Sequence, residues 1–417
     1  MHKQPCTGGV ALRGQPRKGG RSDEEALVLG VLIVFAFAMV VAGCGKEEQT
    51  TTSAAPTTTA LQTTTTRAET TTSAVESTTS TNAQGAWKFT FNTFFPATNK
   101  IAIVGEMWQA EITKRTNGAV QFDYLPGASL TAANKVYDGV VTGISDLGFS
   151  CITYTPGVFP VMELLDMPNG YPLGYAATMA VNDFYNNFKP AEFDDVHVFC
   201  FYATGPQVLF TTKKPVRTLA DVKGLVLRST GVGANIAKLL GAEGYAAPQN
   251  EAYELMSKGV IDGSIAPREV LLGWKQAEVV KYVTQCFSIG SVTTMYLVMN
   301  KDKWEALPPE IQKVFTDVSQ EYIEYWAKVS SAYDYDAMEF FRQQPGREVI
   351  DLSEEEGAKW KAAVRPMIDE KLKAIDDATH GYEKYLLDRI AYWTKNAVDE
   401  KECSAWVKDN IKSPSAK

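Results

Sequence analysis

Residues Pro215–Gly233 read PVRTLADVKGLVLRSTGVG. Thr218 and Asp221 stand three apart, the spacing of a capping box that opens a short helix. Gly224 closes that helix. Leu225–Leu227 is an apolar run suited to a strand buried on both faces. Arg228 follows at the carboxyl end of the strand, the edge where open α/β sheets bind ligands. A guanidinium there offers a planar, permanently charged fork for a carboxylate. Gly231 and Gly233 then turn the chain into a second helix.

Upstream, Trp87–Phe91 alternates apolar and polar residues as a half-buried strand does. A helix to about Asn117 and a strand over Ala119–Tyr124 follow. A helix over Thr131–Thr142 and a strand over Ser145–Ser150 complete a β-α-β-α-β order, the signature of an α/β lobe. A helix spans Leu173–Phe188, and strands span Val196–Tyr202 and Gln207–Thr212. Downstream of Gly233, a short strand lies near Tyr245, a helix over Asn250–Lys258 and a strand over Val260–Ile265. Leu271–Tyr282 reads as a helix containing Trp274. Val292–Met299 reads as an apolar strand long enough to bridge two lobes. Pro308-Pro309 opens a helix to about Gln344, near 50 Å at the usual rise, long enough to brace both lobes. Val349–Leu352 reads as a short strand.

The N-terminal part is of another kind. Ala26–Val41 is an unbroken apolar run after a basic leader, and Val41-Ala42-Gly43-Cys44 follows it. This pattern is that of an export signal, and its ending resembles a bacterial lipobox. Residues 1–43 are therefore expected to be removed and Cys44 to carry lipid. An uncleaved membrane anchor is the alternative. Thr50–Thr81 is 20 of 32 residues Thr or Ser, too polar to build a core. Residues 44–85 read as a disordered tether with a span of roughly 35 Å.

The folded part, residues 86–417, is expected to be an α/β two-lobe periplasmic-binding-protein-like domain, type II-like, with crossing strands and a long bracing helix. Lobe 1 covers about 86–211 and lobe 2 about 212–295, each with C-terminal parts.

The net charge of the whole chain is −8, and beyond residue 44 there are 36 basic against 46 acidic residues. This argues against a nucleic-acid partner, which requires a basic face. Cys151, Cys200, Cys286 and Cys403 show no paired spacing and read mostly as buried free thiols. With isolated histidines and no Cys/His cluster, neither a metal site nor a histidine triad is expected. Gly231-Val232-Gly233 lacks the third small residue of a dinucleotide loop, since Ile236 stands there, so no cofactor is expected. No G-x-S-x-G, Walker A or H-E-x-x-H occurs, which argues against an enzyme.

Arg228 and Arg268 each follow a strand of the second lobe. Right-handed crossovers place both on one side of that sheet, facing one crevice, which suits an organic acid or a diacid. Salt bridging is the alternative, with Glu269 placed to neutralise Arg268; the candidate ligand contacts are Arg228, Arg268, Gln207, Tyr154, Phe94, Glu269 and Trp274. Phe94, Phe95, Tyr154, Phe159 and Trp274 lie in or near loops after strands, where they can wall a pocket or pack in a core.

Five pieces in order carry a family resemblance. They are Tyr137–Gly148 (YDGVVTGISDLG), Thr155–Pro160 (TPGVFP), the Lys214–Leu225 stretch, Tyr253, and Gly259–Gly263 (GVIDG). From about 86 to 400 the chain resembles the solute-binding proteins of TRAP transporters, of the C4-dicarboxylate-binding type. The resemblance implies two lobes closing on a ligand, no catalysis and no cofactor. It puts the carboxylate-binding arginine at Arg228. Gly205-Pro206-Gln207 and Ala266-Pro267 depart from the sialic-acid-binding members, so Gln207 and Arg268 suggest a different acid. The implied function is an extracytoplasmic, lipid-anchored receptor that captures a small organic acid for an ion-gradient-driven permease. Alternatives are an ABC-type lipoprotein for a neutral solute, and a surface sensor or enzyme.

Overall fold

The computed structural model describes residues 87–415. The signal, the lipobox at Cys44 and the tether to residue 85 lie outside the described residues. Among the described residues, eleven strands form two sheets. The first holds β1 (Trp87–Thr93), β2 (Val120–Leu125), β3 (Leu147–Cys151) and β4 (Val196–Ala203). The second begins with β5 (Gln207–Thr211), β6 (Val226–Ser229), β7 (Glu243–Ala246), β8 (Gly263–Pro267) and β9 (Tyr282–Gln285). β10 (Thr294–Asn300) returns to the first sheet, and β11 (Glu348–Asp351) closes the second. The orders are β2-β1-β3-β10-β4 and β11-β9-β5-β8-β6-β7.

In each sheet a parallel trio points its carboxyl ends at the other lobe. β1 pairs in parallel with β2 and β3, and β6 with β7 and β8. The chain crosses between sheets twice, at Thr204–Pro206 and at Ser291–Thr293, and the two crossings bond to each other. Thr204 N donates to Thr293 O at 3.1 Å, and Gln207 N to Ser291 O at 2.8 Å. Gln207–Thr211 therefore belongs to the second sheet, although sequence order suggested the end of the first lobe.

A third link is the helix Pro309–Arg342, whose 34 residues run about 50 Å. Its first half buries Phe315, Val318 and Trp326 in the core of the first lobe. Its last turns bury Ala337, Met338 and Phe341 against Val208, Phe210 and Val283 of the second. Trp108 seats it, with Nε1 donating to Ser319 Oγ at 3.0 Å. Each fully buried large side chain along this helix contributes about 2–3 kcal/mol of transfer free energy. The two crossings and the helix are the connections between the lobes, and the helix packs into the cores of both.

Several elements differ from the periodicity reading. Leu271–Tyr282 is not one helix. The helix Val270–Gly273 stops at Trp274, and Lys275 adopts φ 55°, in the left-handed region. The chain then enters β9, a strand that the helical reading concealed. The Thr131–Thr142 helix is shorter, a 3-10 turn followed by Val136–Val141. The strand read at Val260–Ile265 begins at Gly263, because Asp262 Oδ2 first caps Val226 N at 2.9 Å. The bridging strand starts at Thr294, Val292 and Thr293 being part of the crossing. The capping box of Thr218 and Asp221 is present as read. Cys151, Cys200, Cys286 and Cys403 are free and buried. Among the described residues no helix is long and apolar enough to cross a membrane.

Candidate functional site

Between the carboxyl ends of the two parallel trios lies a narrow cavity of about 30 Å³. Phe94 and Phe95 enter it from the turn after β1, and Cys151 and Tyr154 from the end of β3. Thr204, Gln207 and Thr293 come from the crossings. Arg228 and Thr230 come from β6, Gln249 from the turn after β7, and Glu269 and Trp274 from the segment after β8. Six of the seven expected ligand contacts line one space: Phe94, Tyr154, Gln207, Arg228, Glu269 and Trp274.

Arg228 is 2% exposed. It lies inside β6, opposite Tyr245 of β7 and Ser264 of β8, not beyond the strand as its sequence position suggested. Nε and Nη2 donate to Ala247 O at 2.9 and 2.7 Å, and Nη1 donates to Gln249 Oε1 at 2.7 Å. These bonds fix the fork and leave two of its five N–H groups free. No carboxylate among the described residues forms an ion pair with it, and burial pulls its pKa below the usual arginine value. Gln249 Nε2, held beside it, is buried without a partner. The site therefore pairs a buried cation with an adjacent unused amide donor.

Gln249 was not singled out in the sequence. The available signal was its place directly after a strand of the same parallel trio, the position logic that marked Arg228.

The opposite wall is aromatic. Phe94 stacks on Trp274 at 6.1 Å and 14°, and meets Tyr154 edge-on at 5.3 Å. Phe95 lies 5.9 Å from Trp274. Phe159, also considered for this wall, packs instead among Tyr137, Phe193 and Tyr296 in the core. Glu269 is 4% exposed, and Oε2 has no hydrogen-bond partner. Burial foremost, with the charge of Asp334, pushes its pKa up to about 8. At neutral pH it is mostly a neutral carboxyl. Gln207 turns its amide to the crossings, donating to Thr293 Oγ1 at 2.8 Å, so it links the cavity to them.

Arg268 is not among the residues lining the cavity. It lies four residues past Ser264, about 13 Å further along the strand direction than Arg228. Its guanidinium is taken by Asp334 of the long helix at 3.0 Å and by Glu400 of a C-terminal helix at 2.6 Å. Asp334 also accepts from Glu269 N at 2.9 Å. The pairing of Arg268 with Glu269 does not occur, because these two helices present their carboxylates first. Arg268 therefore fastens the second lobe to the long helix.

The lobes meet over the cavity. Gln249 N donates to Tyr154 Oη across the gap at 3.1 Å. Gly231 adopts φ 44° and ψ −114°, and a Cβ there would lie 2.8 Å from Thr153 Cβ of the first lobe. The glycine turn thus serves close approach of the lobes.

A fold of two α/β lobes, joined by crossing strands and closed on a cavity, defines a solute-binding protein. The chain belongs to the bacterial extracellular solute-binding proteins, family 7, the DctP family of TRAP solute-binding proteins, whose family model matches residues 91–374. The family consists of receptors, not enzymes. The 2,3-diketo-L-gulonate-binding periplasmic protein YiaO of Escherichia coli (strain K12) is 28% identical over 254 residues, covering 60% of this chain and 77% of that protein. A TRAP periplasmic solute-binding protein from Desulfovibrio salexigens DSM2638 was solved as an open complex with a symmetry mate's C-terminus in its ligand-binding site. It superposes with a TM-score of 0.64 at 27% identity, over 80% of this chain and 99% of that one. A counterpart from Bordetella bronchiseptica with bound (R)- and (S)-mandelate gives 0.62 at 26%, over 78% and 98%.

Proposed function

We propose that this protein is the extracytoplasmic receptor of a TRAP transporter that takes a small organic acid into the interlobe cavity through Arg228. It then delivers that acid to an ion-gradient-driven membrane permease. The observation that carries this reading is Arg228 itself. A buried guanidinium with no carboxylate partner, two free N–H groups and an unused amide beside it is costly until an anion arrives. The mandelate-bound relative agrees with an acid ligand in the same fold. Gln207, Tyr154, Phe94, Glu269 and Trp274 complete the ligand contacts.

Titration calorimetry of the purified protein against organic acids and neutral sugars tests the reading. Acids are expected to bind at micromolar or tighter Kd and sugars not to bind. Binding of sugars alone would instead favour a receptor for neutral solutes.

The receptor is further proposed to be held at the membrane by lipid on Cys44, with residues 45–85 as the tether. The spacing of the apolar run and Ala42-Gly43-Cys44 supports this. Mass spectrometry of the membrane-extracted protein is expected to find an acylated N-terminal Cys44. An unmodified N-terminal peptide containing residues 26–43 would remove the anchor.

A further inference from the structure

We propose, resting on the receptor reading above, that the ligand is a monocarboxylate with an apolar or aromatic body. Its far end carries a hydrogen-bond acceptor, and Glu269 rejects ligands with a second carboxylate. The cavity walls contain a single cation, Arg228, and a single acidic side chain, Glu269. The second arginine that would hold a diacid, Arg268, is consumed by Asp334 and Glu400 outside the cavity. A second carboxylate inside would have no cation to meet.

The Glu269 part of the cavity wall suits a neutral polar group. Glu269 Oε2, Trp274 Nε1 and Asn99 Nδ2 are all buried without a well-formed hydrogen bond, and the indole N–H lies close enough to the Glu269 carboxyl to pull its pKa down in part. A Cβ on Gly273 would lie 2.6 Å from Glu269 Oε2, 2.9 Å from Asn99 Nδ2 and 3.5 Å from Tyr333 Cε2, so the carboxyl and the amide converge where Gly273 leaves room. A carboxyl that keeps its proton donates one hydrogen bond, and the indole N–H donates another. An acceptor on the ligand satisfies both, whereas a carboxylate would have to ionise against a buried carboxyl. Phe94, Phe95 and Trp274 present ring faces and edges to an apolar body. Discrimination of this kind works by an uncompensated charge set against the wrong ligand.

The groups around Glu269 fix the pH dependence. They are Asp334, which accepts from its amide, Tyr333 on the same long helix, and Arg268 beside it in the chain. Tyr202 on β4, with Cys151 and Tyr154 at the end of β3, faces it from the first lobe. The tyrosines and Cys151 are pushed upward by burial, and Arg268 stays charged, so Glu269 is the group that ionises between pH 7 and 9. Ionisation places a negative charge in the cavity and weakens anion binding.

Calorimetry with pairs differing by one carboxylate tests this: benzoate against terephthalate, and 4-oxopentanoate against succinate, at pH 7 and pH 9. The monocarboxylate of at least one pair is expected to bind at least tenfold more tightly than its diacid, and its Kd to rise several-fold from pH 7 to 9. Glu269→Gln keeps the shape and removes the ionisation, so it is expected to flatten the pH profile. A dicarboxylate bound as tightly as its partner, or a pH profile unchanged in Glu269→Gln, overturns the inference while leaving the receptor reading intact. Failure of every acid to bind overturns the receptor reading itself.

Discussion

Replacing Arg228 with alanine is expected to weaken binding of the cognate acid by about 3–5 kcal/mol, between two and nearly four orders of magnitude in Kd. On the proposed function, the ligand carboxylate enters the interlobe cavity and loses most of its water. It is stable there only if a fixed cation and hydrogen bonds replace that water. Arg228 supplies the charge, and its three bonds to Ala247 O and Gln249 Oε1 hold the fork before the ligand arrives. Removing it also frees Gln249, so the second donor is lost with the first. Arg228→Lys keeps the charge but not the fork, and is expected to lose at least tenfold. The fold should lose little, because the substitution deletes a buried charge with no ionic partner, which offsets the three hydrogen bonds lost to Ala247 O and Gln249 Oε1. Calorimetry for affinity and thermal unfolding of the unliganded protein give the two readouts. Unchanged affinity in Arg228→Ala would remove this residue from the site.

Arg268→Ala is expected to do the opposite, costing about 3–5 kcal/mol of stability while affecting ligand affinity much less. Arg268 is 7% exposed, and Asp334 is fully buried against it. Truncating the arginine strands that carboxylate, and Glu400 as well. The pH dependence follows from Asp334. Burial already pushes its pKa up to about 6 with Arg268 in place. A buried acid with a raised pKa is accommodated fully below its unfolded value near 4, and loses that advantage as pH rises through its folded value. Without Arg268 the folded value climbs further. The mutant's deficit is therefore small near pH 4 and largest above pH 7. Urea denaturation at pH 4.5 and pH 8 measures the difference. Adding Asp334→Asn to Arg268→Ala should recover part of the loss at pH 8 and little at pH 4.5. A deficit equal at both pH values would show that Arg268 acts by packing alone.

Both arginines were visible in the sequence, and both follow from the same reasoning about strand ends. Their environments separated them. Arg228 bonds to groups 19 and 21 residues away, within one βα unit. Arg268 is claimed by carboxylates 66 and 132 residues away, on helices whose approach no local spacing records. Gln249 escaped notice because its amide acquires meaning only when Arg228 takes its oxygen. Glu269 reads from the sequence as a ligand contact, or alternatively as a counter-charge for Arg268; it lines the cavity, makes no ion pair with Arg268, and burial pushes its pKa up.

The sequence by itself determined the α/β class, the capped turn into β6, the long helix and the place of Arg228. Each follows from apolar period, capping residues or chain direction, which are local. Only the tertiary structure decided where the chain changes sheets, that β9 exists, and which arginine lines the cavity. Those outcomes depend on distant elements competing for the same hydrogen bonds and charges, and that competition is settled by packing.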